Sequence, residues 1–303
     1  MAVIEVSNLQ KSYGKLEAVK DVTFSVEEGE IFGIVGPNGA GKTTTVECIE
    51  GLRDYDRGFV SVLGLDPLKQ SKTLKQRIGI QLQEGQLPDR LKVWEALDLF
   101  SSLYKKSVPW RPLLDELGLE EKSNDYFDNL SGGQKQRLSI AMALVNDPEV
   151  VFFDELTTGL DPQARHTIWD LVKRIRDKGK TVILVTHFME EAERLCDRVA
   201  IIDHGRVIAL DTPGKLIRQM DLGINILFGC ENPELKEYLL NIPNLIQVDC
   251  AGESYKIYAD NIKAVADIIH ILVEKELNFY DFSIQQPNLE DVFINLTGRK
   301  IRD

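Results

Sequence analysis

Residues Ile31-Phe32-Gly33-Ile34-Val35 form an apolar run that passes directly into Gly36-Pro37-Asn38-Gly39-Ala40-Gly41-Lys42-Thr43. Such a run reads as a strand buried on both faces, and from Thr43 to Ile49 the pattern switches to a helical period. A strand that turns through glycines straight into a helix needs a sheet with a helix packed on it, which restricts the chain to α/β architectures. The same segment matches G-x-x-x-x-G-K-[ST], a loop whose backbone N–H groups curl around phosphates without a Cβ clash. The helix start adds a favourable dipole, Lys42 is spaced to reach β and γ phosphates, and the Thr43 hydroxyl suits Mg2+. Gly36, Pro37, Asn38, Gly39, Ala40, Gly41, Lys42, Thr43 and Thr44 are therefore candidate nucleotide ligands.

The rest of the chain agrees with this start. Short β-rich runs occupy Ile4 to Val6, Val22 to Val26 and Phe59 to Leu63, and the stretch from about 87 to 147 is mostly helical, with helices expected over Val93 to Tyr104, Arg111 to Leu117 and Gly133 to Val145. Strands and helices then alternate: Val150 to Phe153, Pro162 to Lys178, Thr181 to Thr186, Met189 to Cys196 and Val199 to Asp203. That alternation is the mark of a parallel sheet covered by helices. The character changes near Leu222, so the expected division is residues 1–221 and 222–303. The second part reads strand, helix, strand, strand, helix, strand, the order of a small ferredoxin-like α+β domain. Its longer helix, Asn261 to Leu277, carries Ile262, Val265, Ile269 and Leu272 at helical spacing.

Composition removes several classes of function. With 36 Lys plus Arg against 48 Asp plus Glu, the net charge is −12, which argues against sequence-independent nucleic-acid binding, and no nucleic-acid partner is expected. No run approaches the roughly 18 apolar residues of a membrane span, and the N-terminus lacks a secretory pattern, so a cytoplasmic location is expected. Cys48, Cys196, Cys230 and Cys250 have no metal-ligand spacing and read as buried thiols.

Two further motifs carry chemistry. Val150-Val151-Phe152-Phe153-Asp154-Glu155 is a buried strand ending in two carboxylates at the carboxyl edge of the sheet. Asp154 is suited to hold Mg2+, and Glu155, pointing the other way, to polarise an attacking water. Leu130-Ser131-Gly132-Gly133-Gln134 precedes a helix that Ser131 can cap. With all three motifs in order, the chain resembles the ATP-binding cassette (ABC) ATPases, whose signature is LSGGQ.

The resemblance implies a P-loop NTPase fold, with a RecA-like core, a β-rich subdomain and a helical subdomain, and it implies roles for individual residues. Gln83 resembles the glutamine that bridges Mg2+ and the membrane partner. Asp161, in Gly159-Leu160-Asp161, resembles the D-loop aspartate at the dimer interface, His187 the switch histidine on the γ-phosphate, and Tyr13 the aromatic that stacks on adenine. Ser131, Gly132, Gly133 and Gln134 of one copy would close over ATP held by another. This makes ATP and Mg2+ the expected cofactors, Thr43, Gln83 and Asp154 the expected metal set, and Lys42, Glu155 and His187 the expected catalytic set. Leu156 departs from the family's usual proline, which is expected to loosen that turn.

The chain ends in Pro287-Asn288-Leu289-Glu290-Asp291-Val292-Phe293-Ile294-Asn295-Leu296-Thr297-Gly298, similar to the PxLEDVFxxLTG ending of separate ATPase subunits of bacterial export systems for drugs, antibiotics, sodium or lipid-like compounds. As a helix it presents Leu289, Val292, Phe293 and Leu296 on one face. The resemblance implies an exporter's energising subunit, peripheral on the inner membrane face. Its expected partners are a second copy of itself or another ABC ATPase subunit, and a separate transmembrane permease. The small C-terminal domain would regulate or brace the dimer. Two alternatives are a soluble cassette acting on ribosomes or DNA and an importer ATPase.

Overall fold

The computed structural model describes residues 1–81, 87–220, 223–232, 234–240, 242–243 and 245–298. The expected ligand Gln83 and the expected boundary at 221/222 lie outside these residues. Among the described residues, Met1 to Pro213 make one compact unit and Gly214 to Gly298 a second.

In the first unit the elements run β1 (Ala2–Tyr13), β2 (Leu16–Glu27), β3 (Ile31–Val35), α1 (Lys42–Ile49), β4 (Arg57–Val62), α2 (Ser71–Leu74), β5 (Ile78–Gln81), α3 (Val93–Ser102), α4 (Trp110–Glu116), α5 (Gly132–Leu144), β6 (Val150–Asp154), α6 (Pro162–Asp177), β7 (Thr181–Thr186), α7 (Met189–Leu195), β8 (Arg198–Asp203) and β9 (Arg206–Asp211). Among the described residues the strands join one sheet in the order β4-β1-β2-β9-β8-β3-β7-β6-β5. Its centre is parallel, with Val35 opposite Thr186 and Asp154 opposite Val185. Every residue of β3 and β7 is buried, as are the first four of β6, which explains their unbroken apolar sequences.

The antiparallel side extends beyond its apolar runs. β1 and β2 run for twelve residues each, with polar outer positions and a pairing interrupted by bulges. Two strands lack an apolar run that would mark them in the sequence. β5 is four residues with a glycine in the middle, and β9 is a hairpin return from β8 with only partly buried apolar positions. β5 is held to the helical stretch by backbone approach: Asn146, beyond α5, donates from Nδ2 to Ile78 O at 2.9 Å and Gln76 O at 3.3 Å. At Gly79 a Cβ would sit 1.9 Å from the Ala143 carbonyl oxygen.

The second unit contains α8 (Pro213–Gln219), β10 (Ile224–Cys230), α9 (Leu235–Leu239), β11 (Leu245–Ala251), β12 (Ser254–Ala259), α10 (Lys263–Glu274), β13 (Phe279–Gln285) and α11 (Leu289–Thr297). Its sheet is antiparallel in the order β11-β12-β10-β13, the ferredoxin-like arrangement. Phe228 stacks between Tyr255 and Phe282 at centroid distances of 5.4 and 5.5 Å, over Ile268 and Leu272 of α10. The buried stripe of α10 is Ala264, Val265, Ile268 and Leu272, so the expected face is rotated: Ile262 is 62% exposed and Ile269 38%. In α11, Leu289, Val292 and Phe293 are buried while Leu296 is exposed. Its Asn288-Leu289-Glu290-Asp291 start is a capping box, Asn288 Oδ1 accepting from Glu290 N and Asp291 N while Asp291 Oδ2 accepts from Asn288 N. Cys48, Cys196 and Cys230 are buried, but Cys250 is exposed because β11 is an edge strand.

Gly79→Ala is expected to destabilise the first unit by about 2–3 kcal/mol, since the methyl group meets backbone that cannot rotate away; urea unfolding followed by tryptophan fluorescence checks this through a lowered midpoint.

Candidate nucleotide site

The turn after β3 is shaped by contacts that leave little freedom. Gly41, at the start of α1, has φ 100°, and a Cβ there would lie 2.4 Å from the Ala18 carbonyl oxygen. The turn between β8 and β9 supports the loop from below, Gly205 N donating to Ala40 O at 2.9 Å. Lys42 is 5% exposed and folds back, its Nζ donating to Gly36 O at 2.8 Å and Pro37 O at 3.0 Å. Burial draws the Lys42 ammonium's pKa down, and the nearby Glu155 and Asp154 push it back up. Thr43 is exposed and Thr44 half-buried beside it.

Asp154 ends β6 beside this loop. Burial, then the Glu155 charge, push its carboxyl up to about 6, against the pull of Lys42. Its backbone N–H donates to Gln81 Oε1 at 3.1 Å. Gln81, buried at the end of β5, thus holds the Asp154 backbone, a role that no motif in the sequence marks. Glu155 adopts a left-handed backbone, φ 51°, which turns its side chain away from that of Asp154. Glu155 Oε1 lies 3.0 Å from His187 Nδ1, with both side chains 12% exposed, and Thr158 Oγ1 donates to Oε2 at 3.4 Å. Leu156 is 1% exposed, and Leu160 N donates to Thr157 O at 3.2 Å, so apolar burial and a closed turn stand where a proline ring was missing.

A second group forms elsewhere in the unit. Ser131 caps α5, accepting from Gln134 N at 3.4 Å while Gln134 Oε1 accepts from Ser131 N at 2.9 Å. Asp161 caps α6, accepting from Ala164 N at 2.8 Å. Ser131, Gly132, Gly133, Gly159, Leu160 and Asp161 line one cleft of about 300 Å³, and no phosphate-loop residue shares it. Tyr13, 39% exposed, ends β1 with the Arg53 guanidinium 5.3 Å from its ring centroid.

The structure therefore gathers Lys42, Asp154, Glu155 and His187 at one sheet edge, and Ser131 to Gln134 with Asp161 at another place. The first group fits a divalent cation. Thr43 and Asp154 offer hard oxygen donors, and the Asp154 carboxyl is buried with less positive charge around it than its ionised form needs.

Comparison with known proteins gives a consistent result. The family profile described as ABC transporter matches residues 19–158. The Nod factor export ATP-binding protein I of Paraburkholderia xenovorans is 39% identical over 311 residues, covering 100% of this chain and 99% of the relative. The linearmycin resistance ATP-binding protein LnrL of Bacillus subtilis is 36% identical over 313 residues, covering 99% and 100%. Among solved structures, an ATP-binding subunit of an ABC transporter superposes with a TM-score of 0.65 at 33% identity, over 72% of this chain and 93% of that one. A dimeric ATP-binding cassette in a post-hydrolysis state with ADP and Pi gives 0.62 at 29% identity, over 69% and 98%.

The pKa of Asp154 generates a pH prediction. A folded-state value of about 6 against an ordinary 3.8 means that ionisation opposes folding above pH 6, and that this penalty is absent below the unfolded value. Asp154→Asn should raise stability at pH 8 by at most about 3 kcal/mol, less whatever solvent screening removes. Thermal unfolding across pH should show the gain shrinking as pH falls through 6 toward 4.

Proposed function

The chain belongs to the ABC transporter ATP-binding subunits, and we propose that Glu155 and His187 carry its hydrolysis in a nucleotide-sandwich dimer that powers an exporter. It binds and hydrolyses ATP. The observation that carries the proposal is the separation of two half-sites within one unit: Lys42, Asp154, Glu155 and His187 in one place, and Ser131 with Asp161 lining a cleft in another. A nucleotide on the phosphate loop of one copy is completed by the signature cleft of the next, whose Ser131 and glycine N–H groups suit an anion.

Within that sandwich, Lys42 leaves its two carbonyl partners for the β and γ phosphates, and the N–H groups from Asn38 to Thr44 hold the phosphate oxygens. The Glu155 carboxylate takes a proton from the attacking water, and His187, released from Glu155, holds the γ-phosphate. Thr43 and Asp154, with Gln83, would hold Mg2+, which neutralises phosphate charge when bound. Tyr13 supplies a flat face for adenine.

Transport needs a pathway across a membrane, and no helix among the described residues is long and apolar enough to cross one. We assign that role to a separate permease at whose cytoplasmic face this subunit docks. The export direction is supported by the relatives' names, one for Nod factor export and one for linearmycin resistance.

Glu155→Gln should keep ATP binding, lower turnover by about a hundredfold or more, and accumulate an ATP-dependent dimer in size-exclusion chromatography. Membranes carrying the trapped variant should yield a polytopic partner by mass spectrometry. Unchanged turnover would remove Glu155 as the base.

A further inference from the structure

Glu191, on α7, is 1% exposed, and the chemistry described above does not use it. Its Oε1 accepts two hydrogen bonds, from Thr157 Oγ1 at 3.0 Å and from Trp169 Nε1 at 3.1 Å. Its Oε2 is buried as well. Burial pushes the carboxyl's pKa up, against the pull of the Thr186, Trp169 and Thr157 hydrogen-bond donors and the Arg165 charge. A carboxyl buried this deeply is a costly way to stabilise a fold, because an apolar side chain of similar size avoids the desolvation penalty. Its contacts have a more specific arrangement than packing alone requires.

Thr157 lies two residues after Glu155, and Glu191 lies four after His187. The same two segments, 155–157 and 187–191, are thus tied twice, by Glu155 with His187 at 3.0 Å and by Thr157 with Glu191 at 3.0 Å. The third member, Trp169, sits on α6, the helix that Asp161 caps beside the signature cleft. Further up the same helix, the Arg165 guanidinium lies 5.1 Å from the centroid of the Phe188 ring, which itself packs 4.1 Å from the His187 ring.

We infer that Glu191 is a positioning residue for hydrolysis: through Thr157 and Trp169 it fixes the switch segment at the height where His187 meets Glu155, and links that height to the helix Asp161 begins. The inference rests on the reading of Glu155 and His187 as the catalytic pair. Glu191 is buried and bonded to Thr157 and Trp169 rather than to the phosphate loop, so its removal should leave ATP binding there intact.

The test is steady-state ATPase kinetics of Glu191→Ala, Glu191→Gln, Trp169→Phe and Glu155→Gln in the full chain, with kcat normalised to nucleotide-binding sites. Glu191→Ala should lower kcat by about tenfold or more while KM for ATP stays within about twofold. Glu191→Gln keeps a carbonyl oxygen for both donors and should retain kcat within about threefold. Trp169→Phe, which removes one donor and keeps an aromatic ring, should fall between them. Unchanged kcat in Glu191→Ala, or a loss that Gln fails to rescue, overturns the inference. Glu155→Gln separates the two readings: if it abolishes turnover while Glu191→Ala does not, the positioning role alone fails; if Glu155→Gln turns over normally, the catalytic pair itself is wrong.

Discussion

β3, β7 and β6 lie side by side, parallel and in register, and are buried almost throughout. A strand covered on both faces has no solvent-facing side to slip toward, so its register is fixed by packing, and the residues that follow its last buried position emerge at a set height. The phosphate loop leaves β3, Asp154 and Glu155 leave β6, and His187 leaves β7, all at the same edge. Four reactive side chains from three distant stretches of sequence are thereby brought together by apolar burial alone. The electrostatic consequence is a site whose charges are poorly balanced as they stand. Lys42 is buried against carbonyls and Asp154 is held toward neutrality, and a polyphosphate with a divalent cation would supply opposing charge to each.

The same construction explains why the proposed function needs two chains. The signature segment and the D-loop aspartate are each spent locally on capping a helix, which aims their remaining groups into a cleft of their own and away from the phosphate loop. Rigid helix starts are good anion-facing surfaces but poor swinging arms. The proposed completion of the site by a second copy accords with that rigidity, and Trp169 with Glu191 would offer a short mechanical path from such an interface to His187.

Much of this was legible in the sequence because the central strands are continuously apolar and the loops between them carry dense motifs. The parallel strands, the phosphate loop, the paired carboxylates and the helix cap at Ser131 all follow from local patterns. β5 and β9 were not legible, since one is short and glycine-broken and the other owes its pairing to a hairpin. Gln81 belongs to no motif, and its hydrogen bond from the Asp154 backbone is a product of tertiary register. The face of α10 was misjudged by one position because its apolar residues outnumber those one face can bury. Glu191 escaped notice for a related reason: a glutamate in a charged helix gives no sign that it will be buried.

The claim on which the account depends is that each hydrolytic site is completed by a second chain. Mixed dimers test it most directly: Lys42→Ala chains, lacking a phosphate-loop lysine, are combined with Ser131→Arg chains, lacking a usable signature cleft, and ATPase activity is measured. Each variant alone should be inactive, and an equal mixture should recover up to about a quarter of wild-type turnover, because half of the dimers then contain one intact composite site. Wild-type-like activity of Ser131→Arg alone, or no recovery in mixtures proven to form heterodimers, would contradict it.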